Sequence, residues 1–172
     1  MFEKPMFLIL MGVSGSGKTT VGKALAERLS LPFYEGDDFH PERNIQKMSD
    51  GKPLNDGDRK EWLDALEALI RSRLSEGKGG ILACSALKRA YRDQLRVDPE
   101  QVKFIYLKGD YDLIFARMQA REDHYMSADM LTSQFDDLEP PKDAFTVEVD
   151  KPADQIVKEI EDLFSWMGMS CD

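Results

Sequence analysis

The residues with the clearest chemistry are Gly12-Val13-Ser14-Gly15-Ser16-Gly17-Lys18-Thr19. They satisfy G-x-x-x-x-G-K-[ST] at every specified position, the pattern of a loop that wraps phosphate groups. Gly12, Gly15 and Gly17 allow positive φ and a close backbone approach that a Cβ would obstruct. Successive N–H groups then point inward, and the start of the following helix adds partial positive charge. Lys18 brings a full charge to the β- and γ-phosphates, and the Thr19 hydroxyl is placed to ligate Mg²⁺. A nucleoside triphosphate with magnesium is the ligand this stretch predicts.

A second group, Glu35-Gly36-Asp37-Asp38-Phe39-His40, follows the short apolar run Leu31-Pro32-Phe33-Tyr34. In open α/β sheets ligands sit beyond the carboxyl ends of the strands. Carboxylates there can accept a hydrogen bond from an acceptor hydroxyl or hold the water shell of a metal. Asp and Gly also favour ordinary turns, so position rather than residue type carries the expectation for Asp37. Basic residues recur at helical spacing further on, as Lys88 and Arg92 with Arg89 beside them, then as Arg117 and Arg121. The first set reads either as a solvated basic face or as a substrate-anion site just beyond a strand. Arg59 and Lys60 stand at a helix start, where cations oppose the macrodipole, a hint that they face an anion. Arg117 and Arg121 precede the polar Glu122-Asp123-His124-Tyr125-Met126. That segment is a candidate lid from which arginines close on a transferring phosphoryl group.

The elements that must position these groups alternate along the chain. An apolar run over 7–11 leads into the phosphate loop and an amphipathic helix over 20–29 leaves it. A short helix over 41–48 is opened by proline. After a turn-rich stretch over 49–58, a long helix over 59–74 carries the core stripe Trp62, Leu63, Leu66, Leu69, Ile70 and Leu74, with Asp56 or Asp58 as its cap. Further strands are expected over 81–84, 102–107 and 145–149. Pro152 opens a closing helix with Ile156, Val157, Ile160, Leu163, Phe164 and Met167 buried. Met126, Met130, Leu131 and Phe135 pack the base of the lid rather than binding a cofactor. Five strands alternating with helices give an α/β domain with a parallel sheet covered on both faces.

At 172 residues, with 42% hydrophobic and 32% charged content, the chain suits one globular domain. No apolar run approaches the roughly 20 residues of a membrane span, and the first residues carry no signal-like segment. Cys84 and Cys171 have neither metal-ligand spacing nor a disulfide framework, which suits a reducing cytoplasm. His40 and His124 are the only histidines, too few for a multi-histidine metal site. A net charge of −9 argues against broad nucleic-acid binding yet leaves room for local basic clusters around a small anion. Composition and periodicity alone reach a magnesium-dependent nucleotide-binding α/β domain.

Longer stretches are more selective. They are Gly36-Asp37-Asp38-Phe39-His40-Pro41 with Asn44, Lys47 and Met48, and Pro53-Leu54-Asn55-Asp56 with Asp58-Arg59 and Trp62-Leu63. They continue as Cys84-Ser85-Ala86-Leu87-Lys88 with Tyr91-Arg92-Asp93, then Tyr106-Leu107-Lys108-Gly109, Arg121 with His124, and Gln134-Phe135 with Leu138-Glu139. With the phosphate loop, these resemble the small P-loop gluconate kinases (gluconokinases) over nearly the whole chain and in order. The resemblance implies one domain over 1–172 with a three-layer P-loop NTPase fold and a five-stranded parallel sheet in the order 2-3-1-4-5. A substrate-binding helical segment is expected at about 38–75 and a small lid at about 121–140. The implied protein is a homodimer that uses ATP to phosphorylate D-gluconate on its 6-hydroxyl. Glu35 departs from the family pattern, which more often has Asp there, and Arg43 is not a fixed feature of it.

Role by role, the expectations are specific. The loop from Gly12 to Thr19 and Arg117 bind ATP. Lys18, Asp37 and Arg121 are catalytic, with Asp37 orienting the 6-hydroxyl and accepting its proton. Asp37, His40, Asn44, Arg59, Lys88 and Arg92 meet the polyol and carboxylate, since arginine suits a carboxylate by its fork. Thr19 holds Mg²⁺ directly and Glu35 holds it through water. Three rivals stay open: another small-molecule kinase on this fold, such as a shikimate or nucleotide kinase; a GTP switch protein, which lacks support because no Asn-Lys-x-Asp stretch is present; and a catalytically silent nucleotide-binding module.

Overall fold

The computed structural model describes residues 4–120 and 127–166. At its centre, strand β1 (Phe7–Met11) is fully buried along its length. Leu8 and Leu10 enter the core on one side of the sheet, and Phe7, Ile9 and Met11 enter it on the other. That alternation is the two-residue period of a strand, and apolar residues on both faces are what a central parallel strand requires. β1 pairs with β3 (Gly80–Ala83) on one side and with β4 (Val102–Lys108) on the other. β2 (Phe33–Glu35) lies outside β3 and β5 (Phe145–Glu148) outside β4. All pairs are parallel, and the order β2-β3-β1-β4-β5 agrees with the expected 2-3-1-4-5.

Helices cover both faces. α1 (Lys18–Leu29) and α7 (Ala153–Trp166) bring Val21, Leu25, Ile156 and Ile160 to the Leu8–Leu10 side. α3 (Asp56–Ser75) and α4 (Arg89–Leu95) bring Trp62, Leu66, Ile70 and Leu95 to the Phe7–Ile9–Met11 side. α5 (Tyr111–Gln119) and α6 (Ala128–Asp137) pack on each other, with Ile114, Met118 and Leu131 joining the first core. α2 (Glu42–Ser49) precedes α3. None of the described helices is long and apolar enough to cross a membrane.

Several boundaries differ from expectation for local reasons. α3 begins at Asp56 rather than Arg59, and its cap is Asn55, not Asp56 or Asp58. Asn55 Oδ1 accepts the Asp58 N–H at 2.8 Å while Asp58 Oδ2 accepts the Asn55 N–H at 2.9 Å, a reciprocal capping box. Pro41 is the extended N-cap of α2 rather than its first helical residue. Lys88 is likewise the extended N-cap of α4, so Lys88 and Arg92 do not share a helix face. The candidate lid falls in two parts. Residues 121–126, with Arg121, His124 and Met126, lie outside the described residues, and the stretch beyond is α6. Met167 and Cys171 also lie outside them.

Candidate active site

The carboxyl ends of β2, β3 and β1 are neighbours in the sheet, and the two outer ones of these three deliver different kinds of group. β1 runs into the phosphate loop. Gly15 has φ +80, and a Cβ there would stand 2.7 Å from Met118 Cγ, so the loop is pressed against α5 where only glycine fits. Gly17, at φ 99, caps α1, whose first turn carries no acidic residue. The start of α1 therefore keeps its partial positive charge for an anion. Lys18 Nζ donates to the Gly12 and Val13 carbonyls, each at 2.9 Å, and so lies folded over the loop it serves.

β2 ends at Glu35, whose Oε2 accepts the Thr19 hydroxyl across the gap between strand and helix. A hydroxyl and a carboxylate oxygen at the lip of a phosphate cradle are hard oxygen donors of the kind Mg²⁺ takes alongside phosphates and water. The donor set fits that ion. Among the described residues, no cluster of three or more His, Cys, Asp or Glu side chains forms a separate metal cage.

Beyond Glu35 the chain makes a 3-10 turn over Gly36–Phe39. A Cβ on Gly36 would stand 2.4 Å from the Ala83 carbonyl oxygen, so this glycine allows the turn to lie directly on β3. The Trp62 indole N–H donates to the Gly36 carbonyl at 2.7 Å and fixes the turn from α3. Asp37 projects from it with its side chain largely exposed. His40 stacks on Trp62 with ring centroids 4.4 Å apart. Asn44 Nδ2 donates to the Asp58 carbonyl at 2.7 Å and lies 3.2 Å from His40 Nδ1. With Nδ1 accepting, the imidazole proton sits on Nε2, which lies 4.0 Å from Asp37 Oδ1. Burial pushes the His40 pKa below its usual value, with Asp37 opposing and Arg59 reinforcing, which favours the neutral ring.

One cavity of about 420 Å³ joins these parts. Ser14 and Lys18 of the loop line it together with Glu35, Asp37, His40 and Arg59, and Trp62, Leu54 and Met130 form apolar wall. The volume suits a small ligand held by a few directed polar groups. Arg59 is buried; its guanidinium donates to Tyr91 Oη at 2.9 Å and twice to Asp137 Oδ2 at 3.1 Å. Burial works against its charge, but the bonds to Tyr91 and Asp137 more than offset that and raise its pKa. The anion that Arg59 faces here is thus Asp137, whereas Lys60 pairs along its own helix with Asp64 at 3.2 Å.

The other expected contacts are placed differently. Asn44 is buried behind His40 rather than lining the cavity. Lys88 pairs with Asp56 at 2.9 Å, outside the lining. Arg92 corrects the expectation of a substrate cation most clearly. It is buried and donates to the main-chain carbonyls of Ala86 at 2.8 Å, Leu87 at 3.0 Å and Glu139 at 2.8 Å. Those bonds hold the turn at Ala86, which carries a positive φ of 44. Arg117 is half-buried in the last turn of α5 and does not line the cavity. Cys84 is buried near the carboxylates, and burial pushes its thiol up to about 12, which leaves it unreactive at neutral pH. No local spacing or cap in the sequence marks Gln134, Asp137 or Tyr91. Only the family stretches Gln134-Phe135 and Tyr91-Arg92-Asp93 pointed near two of them.

A phosphate loop at the centre of a 2-3-1-4-5 sheet, opening onto a small cavity, defines a small P-loop kinase. The shikimate kinase family model matches residues 14–161. The thermoresistant gluconokinase of Escherichia coli K12 is 45% identical over 153 residues, covering 87% of this chain and 87% of that protein. The gluconokinase of Gluconobacter oxydans 621H is 44% identical over 160 residues, covering 91% and 90%. The crystal structure of a gluconokinase from Sinorhizobium meliloti 1021 superposes with a TM-score of 0.86 at 41% identity, covering 95% of this chain and 93% of that one. The chain belongs to the gluconokinase family.

Proposed function

We propose that this kinase transfers the γ-phosphoryl group of ATP to the 6-hydroxyl of D-gluconate, giving 6-phospho-D-gluconate and ADP. The observation that carries the reading is the shared cavity, in which the phosphate loop's Ser14 and Lys18 face Asp37, His40 and Arg59. In the reaction the 6-hydroxyl oxygen bonds to the γ-phosphorus as the bond to the bridging oxygen of ADP breaks. The hydroxyl proton goes to Asp37. Positioning and charge neutralisation supply most of the rate, because phosphoryl transfer needs little covalent help.

Lys18 moves from the Gly12 and Val13 carbonyls to the phosphates. The His40 Nε2–H donates to a substrate hydroxyl and Arg59 meets the carboxylate, with Asn44 holding the imidazole in place. The Thr19 hydroxyl directly, and Glu35 through water, would hold Mg²⁺, which would supply charge neutralisation on the phosphates. Arg121 neutralises the transferring group and Arg117 supports the nucleotide, both on the strength of the sequence pattern. The family resemblance supports a homodimer, and cysteine usage supports a cytoplasmic setting; the mass in solution by light scattering tests the first.

The deciding experiment is magnesium-ATP turnover against D-gluconate, shikimate, related sugar acids and nucleoside monophosphates. Turnover on D-gluconate with 6-phospho-D-gluconate as product is expected. Turnover on shikimate or a nucleotide instead would keep the fold and the phosphate chemistry but overturn the acceptor.

A further inference from the structure

Helix α6 grips both halves of the site through two side chains three residues apart. Gln134 Oε1 accepts the Ser14 N–H at 2.7 Å, and Gln134 Nε2 donates to Ser14 Oγ at 3.0 Å. Both ends of one amide are thus committed to one residue of the phosphate loop, which a carboxylate or an ammonium group could not reproduce. Asp137 accepts two N–H bonds from Arg59, each at 3.1 Å, with side-chain exposures of only 10% for Arg59 and 25% for Asp137. Residues three apart lie on one face of a helix. α6 is itself seated on the core by the fully buried Leu131, and both grips leave this one helix.

We propose that Gln134 and Asp137 are positioning residues that couple the two substrates, so that filling the acceptor site tightens nucleotide binding. The inference rests on reading the cavity as the acceptor site for D-gluconate. Three of the five N–H groups of Arg59 are engaged by Tyr91 and Asp137. An acceptor carboxylate at the same guanidinium changes the load on Asp137, and through α6 the hold of Gln134 on Ser14. A ligand that fixes Arg59 thereby also sets the hold of α6 on the phosphate loop, and the second ligand meets a loop already positioned. By linkage the effect is reciprocal, and ATP tightens acceptor binding by the same factor.

Calorimetric titration of a non-hydrolysable ATP analogue with Mg²⁺, with and without saturating D-gluconate, tests this. The native protein should bind the analogue about 5-fold or more tightly when D-gluconate is present. Gln134→Met, which keeps length but loses the amide, should bring that ratio close to one. Asp137→Asn keeps the side-chain shape and lies away from the loop, so it tests the same link if the Gln134 variant folds poorly. It should also collapse the ratio, and the double variant should do no more than either single one. A native ratio of one, or a native ratio retained in both variants, overturns the coupling. Failure of D-gluconate to bind at all would overturn the acceptor reading instead, and the two failures are separable in one titration series.

Discussion

Trp62 Nε1 donates to the Gly36 carbonyl at 2.7 Å, so a core residue of α3 holds the main chain one residue before Asp37. The same indole stacks on His40. A single side chain therefore sets two groups of the cavity, and its place in an apolar helical stripe discloses only the packing. Phe at this position keeps a ring against His40 but leaves the buried carbonyl without its donor. Trp62→Phe should cost about 1–3 kcal/mol of stability, the penalty for an unsatisfied buried group. It should also lower kcat/KM for the acceptor while leaving nucleotide affinity near native. Urea denaturation paired with steady-state kinetics checks both, and unaltered kinetics would confine Trp62 to packing.

Asp37 stands at the carboxyl end of β2, on a turn that only Gly36 allows to lie so close to β3. If it accepts the proton of the acceptor hydroxyl, Asp37→Asn keeps the shape and removes the base. The expected loss in kcat is about 10²–10⁴-fold, with ATP affinity changed by no more than a few-fold. Single-turnover kinetics would separate this from slower product release. A kcat near native would end the assignment of Asp37 as base.

Two buried arginines make opposite predictions. Arg92 serves three main-chain carbonyls, whereas Arg59 lines the cavity. Arg92→Met should destabilise the fold, since the Ala86 and Glu139 carbonyls lose the guanidinium donor in a place water reaches poorly and the Leu87 carbonyl keeps only the Glu139 N–H. The folded fraction should keep its acceptor KM. Arg59→Met should raise that KM, with a smaller effect on nucleotide binding. A raised acceptor KM in the Arg92 variant would return Arg92 to the substrate contacts.

That contrast shows where the sequence was legible and where it was not. β1 reads directly, because an unbroken apolar run before a glycine loop has few other solutions. Asp37, His40 and Arg59 stand out by their places after a strand or at a helix start, and all three line the same cavity. For Arg92, a spacing of four from Lys88 implies a shared helix face only if both residues are helical, and Lys88 is an extended cap. Gln134 and Asp137 carry no local signal of their contacts because their partners, Ser14 and Arg59, lie 120 and 78 residues away in sequence. No local period or cap signals a contact of that range. Only the folded sheet brings α6 to the loop.

His40 gives the pH dependence, and its sign follows from the direction of its shift. Burial lowers its pKa, Asp37 opposes that and Arg59 adds to it, leaving the folded value below the usual one. Between the lowered value and about 6.5 the unfolded chain binds more protons than the folded one, so stability rises with pH across that window. The contribution is fully present above about 6.5 and is lost as pH falls through the folded value. A protonated ring also loses Nδ1 as an acceptor for the Asn44 amide, so kcat/KM for the acceptor should fall over the same range. Denaturation from about pH 5 to 8 should show a slope in the native protein that His40→Gln flattens. With only two histidines in the chain, NMR titration of the native protein and a His124→Gln variant assigns the His40 signal. Its midpoint should lie below about 6.5. A midpoint above that would mean that Asp37 outweighs burial, and stability would then fall as pH rises through the folded value.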